Sequence, residues 1–143
     1  AAMELDPINP RVRAALGLCF FFIATATTDK SNSSKSLLLF DAIQHFTTAA
    51  SYYSKDADVH LGRRCWYNAA LCFIQLRQYS AAILLLRKAV EDLHQASSVE
   101  DIIIWNALGA CLIKEGKTVD ALSVLKNAKL QYCIGTANIP ETA

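Results

Sequence analysis

The stretch Trp66-Tyr67-Asn68-Ala69-Ala70-Leu71-Cys72-Phe73 and the stretch Trp105-Asn106-Ala107-Leu108-Gly109-Ala110-Cys111-Leu112 stand 39 residues apart and read in register. Each opens on tryptophan, carries a small residue at its fifth place (Ala70, Gly109) and closes on a large apolar one. The match continues downstream, with Tyr79-x-x-Ala82-x-x-x-Leu86-x-x-Ala89 running against Thr118-x-x-Ala121-x-x-x-Leu125-x-x-Ala128 at the same offset. Self-similarity at a fixed period of a few tens of residues marks a repeat architecture. A third copy precedes these two: Leu16-Gly17-x-x-Phe20, then Ala42-x-x-x-Phe46-x-x-Ala49, its halves separated by thirteen extra residues.

Every segment of the repeat carries its apolar residues at helical spacing. The pattern predicts six helices, over 10–27, 36–53, 59–76, 80–95, 99–114 and 118–132. Pro10 suits a first helical turn, with Asn9 before it as the cap. The polar, serine-rich Thr28–Lys35 reads as a loop and accounts for the extra residues of the first copy. Asp56–Asp58, Gln78, Ser97-Ser98 and Gly116 punctuate the remainder. No strand pattern competes, and short links between successive helices make them antiparallel neighbours. The fold class is all-α.

Composition agrees. Of 143 residues 53% are apolar and 19% charged, a balance that excludes a disordered chain. Only five glycines and three prolines interrupt it, so long helices run without breakers. Fourteen basic against thirteen acidic side chains leave +1, no field for nucleic acid or an anionic membrane. The apolar run Ala14–Ala26 is too short to span a bilayer and lacks the flanks of a signal peptide. The five cysteines, Cys19, Cys65, Cys72, Cys111 and Cys133, are odd in number and form no Cys-x-x-Cys. They read as free thiols serving as small core hydrophobes, which implies a reducing compartment, cytosol or nucleus.

The paired pattern resembles the tetratricopeptide repeat, a helix–turn–helix unit with Trp, small and aromatic residues on its first helix and Ala-large-Ala on its second. The likeness runs from about Asn9 to Tyr132 and implies a right-handed α-solenoid of three antiparallel helix pairs. Gly17, Ala70 and Gly109, with Ala42, Ala82 and Ala121, would let the two helices of a unit approach. Phe20, Phe73 and Leu112, with Phe46, Leu86 and Leu125, would fill the space between, and Ala49, Ala89 and Ala128 would seat the following unit. The sequence departs from the family at Arg13, which stands where tryptophan is usual, and in the loop that splits the first unit. The proline that usually ends a unit is absent after the second and third. Residues 1–9 read as a cloning remnant (Ala1-Ala2-Met3) plus the tail of a preceding unit. The three-unit domain is expected over 10–133, as 10–54, 59–95 and 99–133, and 134–143 as a loose tail.

In this family the first helices of successive units line a groove that holds a segment of a partner protein. The resemblance places Arg11, Ala14, Leu18 and Phe21 there from the first unit, Arg64, Tyr67, Asn68, Leu71 and Ile74 from the second, and Ile103, Asn106, Ala110 and Ile113 from the third. A mostly apolar groove with a few oriented amides suits an amphipathic helix or a short apolar motif. The plainer reading is that Phe21, Phe22 and Ile113 pack against neighbouring helices. A subfamily reads acidic chaperone tails with a clamp of lysines, asparagines and an arginine. The matching places hold Ala14, Leu18, Asn68, Ile103 and Ala107, and only Asn68 agrees; a carboxylate tail needs charge-assisted donors that are missing here.

Catalysis finds no foothold. His45, His60 and His94 stand apart and read as surface helix residues, and no phosphate loop, dinucleotide fingerprint or His-Glu-x-x-His occurs. No cofactor or metal is expected. Arg63-Arg64 and Arg87-Lys88 are the only basic pairs, too few for a nucleic-acid surface. The serines of Thr28–Lys35 are ordinary surface residues that a kinase would find accessible. The sequence therefore predicts a non-catalytic interaction module binding another protein, with no nucleic acid and no membrane insertion. Its alternative is a structural segment of a longer helical array, self-associating through exposed repeat ends.

Overall fold

The computed structural model describes residues 9–26, 32–53, 59–91, 93 and 98–137, with backbone alone at 32, 127 and 129–137. Among these residues it holds six helices and no strand. They are α1 (Pro10–Ala26), α2 (Asn32–Tyr53), α3 (Val59–Gln75), α4 (Tyr79–Val90), α5 (Val99–Lys114) and α6 (Thr118–Ala137). Each packs chiefly against its neighbours in sequence, so that the pairs α1–α2, α3–α4 and α5–α6 stack as an all-α solenoid. The remnant and upstream-unit reading of residues 1–8, and the turn at Asp56–Asp58, lie outside the described residues.

Local chemistry sets the helix ends. Asn9 caps α1: its Oδ1 accepts from the amides of Arg11 (3.0 Å) and Val12 (3.4 Å), and Pro10 needs no amide partner. Ser98 caps α5, its hydroxyl accepting from the Asp101 amide at 3.3 Å. The two tight turns inside units are the same motif shifted by 39 residues. Arg77 N donates to Ile74 O and Gln78 N to Phe73 O, both at 2.9 Å. Gly116 N donates to Ile113 O (3.0 Å) and Lys117 N to Leu112 O (2.8 Å). Both are Schellman closures, which need a left-handed residue after the helix. Gly116 adopts it freely at φ 77°, whereas Arg77 is held there at φ 59°. Arg77→Gly should therefore raise stability by up to about 1 kcal/mol, the relieved strain exceeding glycine's entropic cost. A higher urea midpoint at unchanged slope would show it.

Three helix ends differ from the sequence expectation by more than one residue. α2 begins at Asn32, so Asn32–Lys35 belong to a helix and not to the serine-rich loop. α4 stops at Val90, short of Gln95. Its last turn tightens, with Glu91 N on Lys88 O and Leu93 N on Val90 O, and Arg63 Nε takes the Ala89 carbonyl at 2.9 Å. α6 continues to Ala137 in place of ending near Tyr132, because a single helical glycine, Gly135, costs only about 1 kcal/mol and Pro140 is the next breaker.

The core follows the repeat. Phe46, Leu39, Leu86, Leu108, Leu112 and Cys72 are its largest fully buried side chains. Two glycines set the spacing within units. A Cβ at Gly17 would sit 2.8 Å from the Phe46 ring, and one at Gly109 would sit 2.7 Å from Leu125. Between units, α4 and α5 share one cluster, in which Ile83, Leu86 and Val90 meet Ile104, Leu108 and Cys111. The α2–α3 seam has the same composition, with Leu39, Ile43 and Phe46 joined to Ala69 and Cys72.

Two side-chain expectations need correction. Cys65, Cys72 and Cys111 are buried free thiols, but Cys19 is exposed, on a face of α1 turned away from α2. The side chain of Cys133 lies outside the described residues. His45 is buried, not a surface residue: its ring stacks on Phe20 at 5.5 Å between centroids and its Nδ1 accepts from Arg13 at 3.3 Å. Arg13, in the place where the repeat usually has tryptophan, thus serves an α1–α2 contact by a polar route.

Candidate functional site

The first helices α1, α3 and α5 leave two clefts between them. The smaller, of about 190 Å³, lies between α1 and α3 and is apolar, lined by Leu18, Phe21, Phe22, Phe46, Asn68 and Leu71. The larger, of about 270 Å³, lies between α3 and α5 and is the more polar of the two, lined by His60, Arg63, Arg64, Tyr67, Asn68, Glu100, Asp101, Ile103 and Ile104. Asn68 belongs to both, so the clefts adjoin along α3. Helical spacing explains the sharing: Arg64, Asn68 and Leu71 fall on one face at intervals of four and three.

Of the residues predicted from sequence, the structure gathers Leu18, Phe21, Asn68 and Leu71 in the apolar cleft, and Arg64, Tyr67, Asn68 and Ile103 in the polar one. Others go elsewhere. Ile74 is half-buried against the core cluster of α4 and α5. Ala14 packs with Ala49, Ala50 and Tyr53. Arg11, Asn106, Ala110 and Ile113 are exposed and line neither cleft.

The floor of the polar cleft is an ion pair that sequence reading missed. Arg63 and Asp101 are both buried, with Nη1 3.5 Å from Oδ1, and the same guanidinium donates through Nε to Ala89 O. One arginine thereby ties α3, α4 and α5 together. A signal was available: Asp101 precedes Ile104, Leu108 and Cys111 at helical spacing, so it sits on the buried stripe. A charge on such a stripe requires a buried partner.

At the rim, Arg64 Nη2 meets both Glu100 carboxylate oxygens at 3.0 and 3.2 Å, and both side chains are exposed. Exposed pairs of this kind contribute about 0–1 kcal/mol, so Arg64 can exchange Glu100 for an incoming carboxylate at little cost. Burial raises the Tyr67 phenol above its ordinary range, leaving it a neutral donor near neutral pH. Burial likewise pushes the Cys65 thiol up to about 11 and Cys72 up to about 12, which keeps both protonated and unreactive. Among the described residues no three His, Cys, Asp or Glu side chains gather as a metal site. None of the described helices is long and apolar enough to cross a membrane.

His45 supplies a pH-dependent term away from the clefts. Burial lowers its basicity, the Arg13 guanidinium lowers it further, and Asp41 opposes them. The folded chain therefore resists protonation at a pH where the unfolded chain, near the ordinary 6.5, accepts it. Stability should be intact above that value and decline as pH falls through it. Thermal melts from pH 7.5 to 5.5 should show this decline, and His45→Gln should flatten it.

A protein-family model described as Spatacsin C-terminus matches residues 5–111, a span that takes in α1 to α4 and most of α5. Among solved structures the chain is similar to one titled "Crystal structure of MamA", at 12% identity and a TM-score of 0.46. That likeness covers 95% of this chain and 85% of the other, and is too distant to bear on function. No curated protein shows significant similarity to it. The family match covers well over half of the sequence, and the chain belongs to the Spatacsin C-terminus family.

Proposed function

We propose that this chain is a non-catalytic protein-interaction unit that holds a segment of a partner protein along α1, α3 and α5. The observation that carries the reading is the adjoining of an apolar cleft and a polar cleft at Asn68. An amphipathic helix or short apolar segment would seat its apolar side chains among Leu18, Phe21 and Leu71. Asn68 and the Tyr67 hydroxyl would meet its polar groups, and Arg64 a carboxylate near its end. The buried thiols of Cys65 and Cys72, held protonated, support a role without chemistry. The free cysteines support a reducing compartment, cytosol or nucleus, as its location.

The test is affinity capture from a lysate of the source organism, comparing wild type with the double variant Leu18→Glu/Asn68→Ala. Circular dichroism first establishes that both are equally helical. A partner held by the wild type and lost by the variant is the expected result. Partners held equally by both would place recognition outside the clefts and overturn the proposal.

A further inference from the structure

Three cavities follow one another along α3. Arg64, Asn68, Leu71 and Gln75 fall on one face of that helix at intervals of four, three and four. Arg64 and Asn68 line the polar cleft, Asn68 and Leu71 the apolar one, and Gln75 a third cavity of about 500 Å³. On α2 the order is the reverse: Phe46 lines the apolar cleft, and Leu39, two turns earlier, lines the third cavity. The third cavity therefore opens one turn of α3 beyond the apolar cleft, on the same seam.

Its charge sets it apart from the other two. The described lining is Lys35, Ser36, Leu39, Gln75, Leu76 and Arg77, with two cations and no carboxylate. In the polar cleft each arginine has an acid, Arg63 with Asp101 and Arg64 with Glu100. Neither Lys35 nor Arg77 belongs to an ion pair among the described residues. Lys35 is partly buried, and a charge withdrawn from water is stabilised by an opposite one beside it. Arg77 holds the left-handed position of the turn after α3, which Gly116 fills in the third unit, so here that strained place carries a guanidinium. The fold brings the two cations to one cavity from positions 35 and 77 of the chain.

We propose that this cavity binds a phosphorylated serine or threonine side chain of a partner protein. Two unmatched positive charges suit a group that carries two negative ones. A phosphate monoester carries about −1.5 to −2 at neutral pH and offers three acceptor oxygens, whereas a carboxylate carries a single charge. Arg77 brings the planar fork that grips two oxygens at once, Lys35 a point charge and the Gln75 amide a neutral donor. That the phosphate sits on a protein segment rests on the proposed function, since the cavity continues the cleft which that segment fills; the anion chemistry rests on the cavity alone.

The probe is a fluorescent peptide library, degenerate around one fixed phosphoserine, compared with the same library carrying serine or glutamate there. Anisotropy should show the phosphoserine library bound at least about tenfold more tightly than either control. Arg77→Gly should weaken that binding by about 10–100-fold, the scale of a lost charge-assisted contact. Its urea midpoint should rise at the same time, so the loss would not be one of folding. Lys35→Gln should weaken binding on the same scale, and added salt should weaken it in the wild type. Equal binding of the three libraries would overturn the proposal, as would phosphopeptide binding unchanged in both variants. Binding to phosphatidylcholine vesicles doped with phosphatidylinositol phosphates, tighter than to the peptides and lost in the same variants, would overturn it in favour of a lipid headgroup. Phosphopeptide binding that needs Lys35 and Arg77 but is unchanged in Leu18→Glu/Asn68→Ala would support the phosphate site and count only against the cleft reading.

Discussion

Asp101→Ala should cost about 3–5 kcal/mol of folding free energy, the scale measured when one partner of a buried ion pair is removed. The Arg63 guanidinium would remain buried, still bound to the Ala89 carbonyl but without its carboxylate. Because Arg63 joins α3, α4 and α5, the loss should propagate across the seam between the second and third units. A thermal midpoint lower by about 10–20 °C is expected for a domain of this size. The specific control is the double replacement Arg63→Met/Asp101→Leu, which removes both charges and should recover most of the loss. A double variant as unstable as the single one would show that the pair acts through shape and not through charge. The exposed pair Arg64–Glu100, one residue away along each helix, should give less than about 1 kcal/mol in the same assay.

Phe46→Ala should be comparably severe, about 3–5 kcal/mol, since the ring is fully buried among Leu39, Ala42, Ile43, Ala69 and Cys72. Its informative partner is Gly17. In the wild type, Gly17→Ala drives a methyl to within 2.8 Å of the Phe46 ring, an overpacking that costs about 1–3 kcal/mol. Helix propensity returns about 1 kcal/mol of this. With Phe46 already alanine, the clash disappears and only the propensity gain is left, so Gly17→Ala should become stabilising. Urea unfolding of the four members of this cycle would give the coupling directly. Additive effects would mean that the two helices can separate without cost, contrary to the close approach seen here.

The small and large residues of that cycle were readable in advance. Gly17, Phe46, Ala70, Leu86, Gly109 and Leu125 were assigned, through the resemblance to the tetratricopeptide repeat, to the contact between paired helices. The structure places Gly17 against Phe46 and Gly109 against Leu125. The candidate clefts were readable only in part. Leu18, Phe21, Tyr67 and Asn68 line the clefts, but Ile74 turns into the core and Ile113 and Asn106 line neither. The expectation assumed that each first helix presents one common face. The actual lining depends on how α1, α3 and α5 are rotated against one another, which no single helix encodes.

What the sequence determined by itself is therefore the unit: all-α, a 39-residue period, and a small residue opposite a large one wherever two helices of a pair meet. Each of these rests on the periodicity of side chains along one helix, and that periodicity is local. Tertiary structure decided the rest. Arg63 and Asp101 stand 38 residues apart in sequence and become partners only when α3 lies beside α5. His45 is buried because Phe20 and Arg13 of another helix cover it. Cys19 and Leu122 are exposed, though their counterparts in the other units are buried, because no described helix follows α6 or precedes α1 to cover them. Burial is a property of the neighbour as much as of the residue, and the neighbour is chosen by the fold.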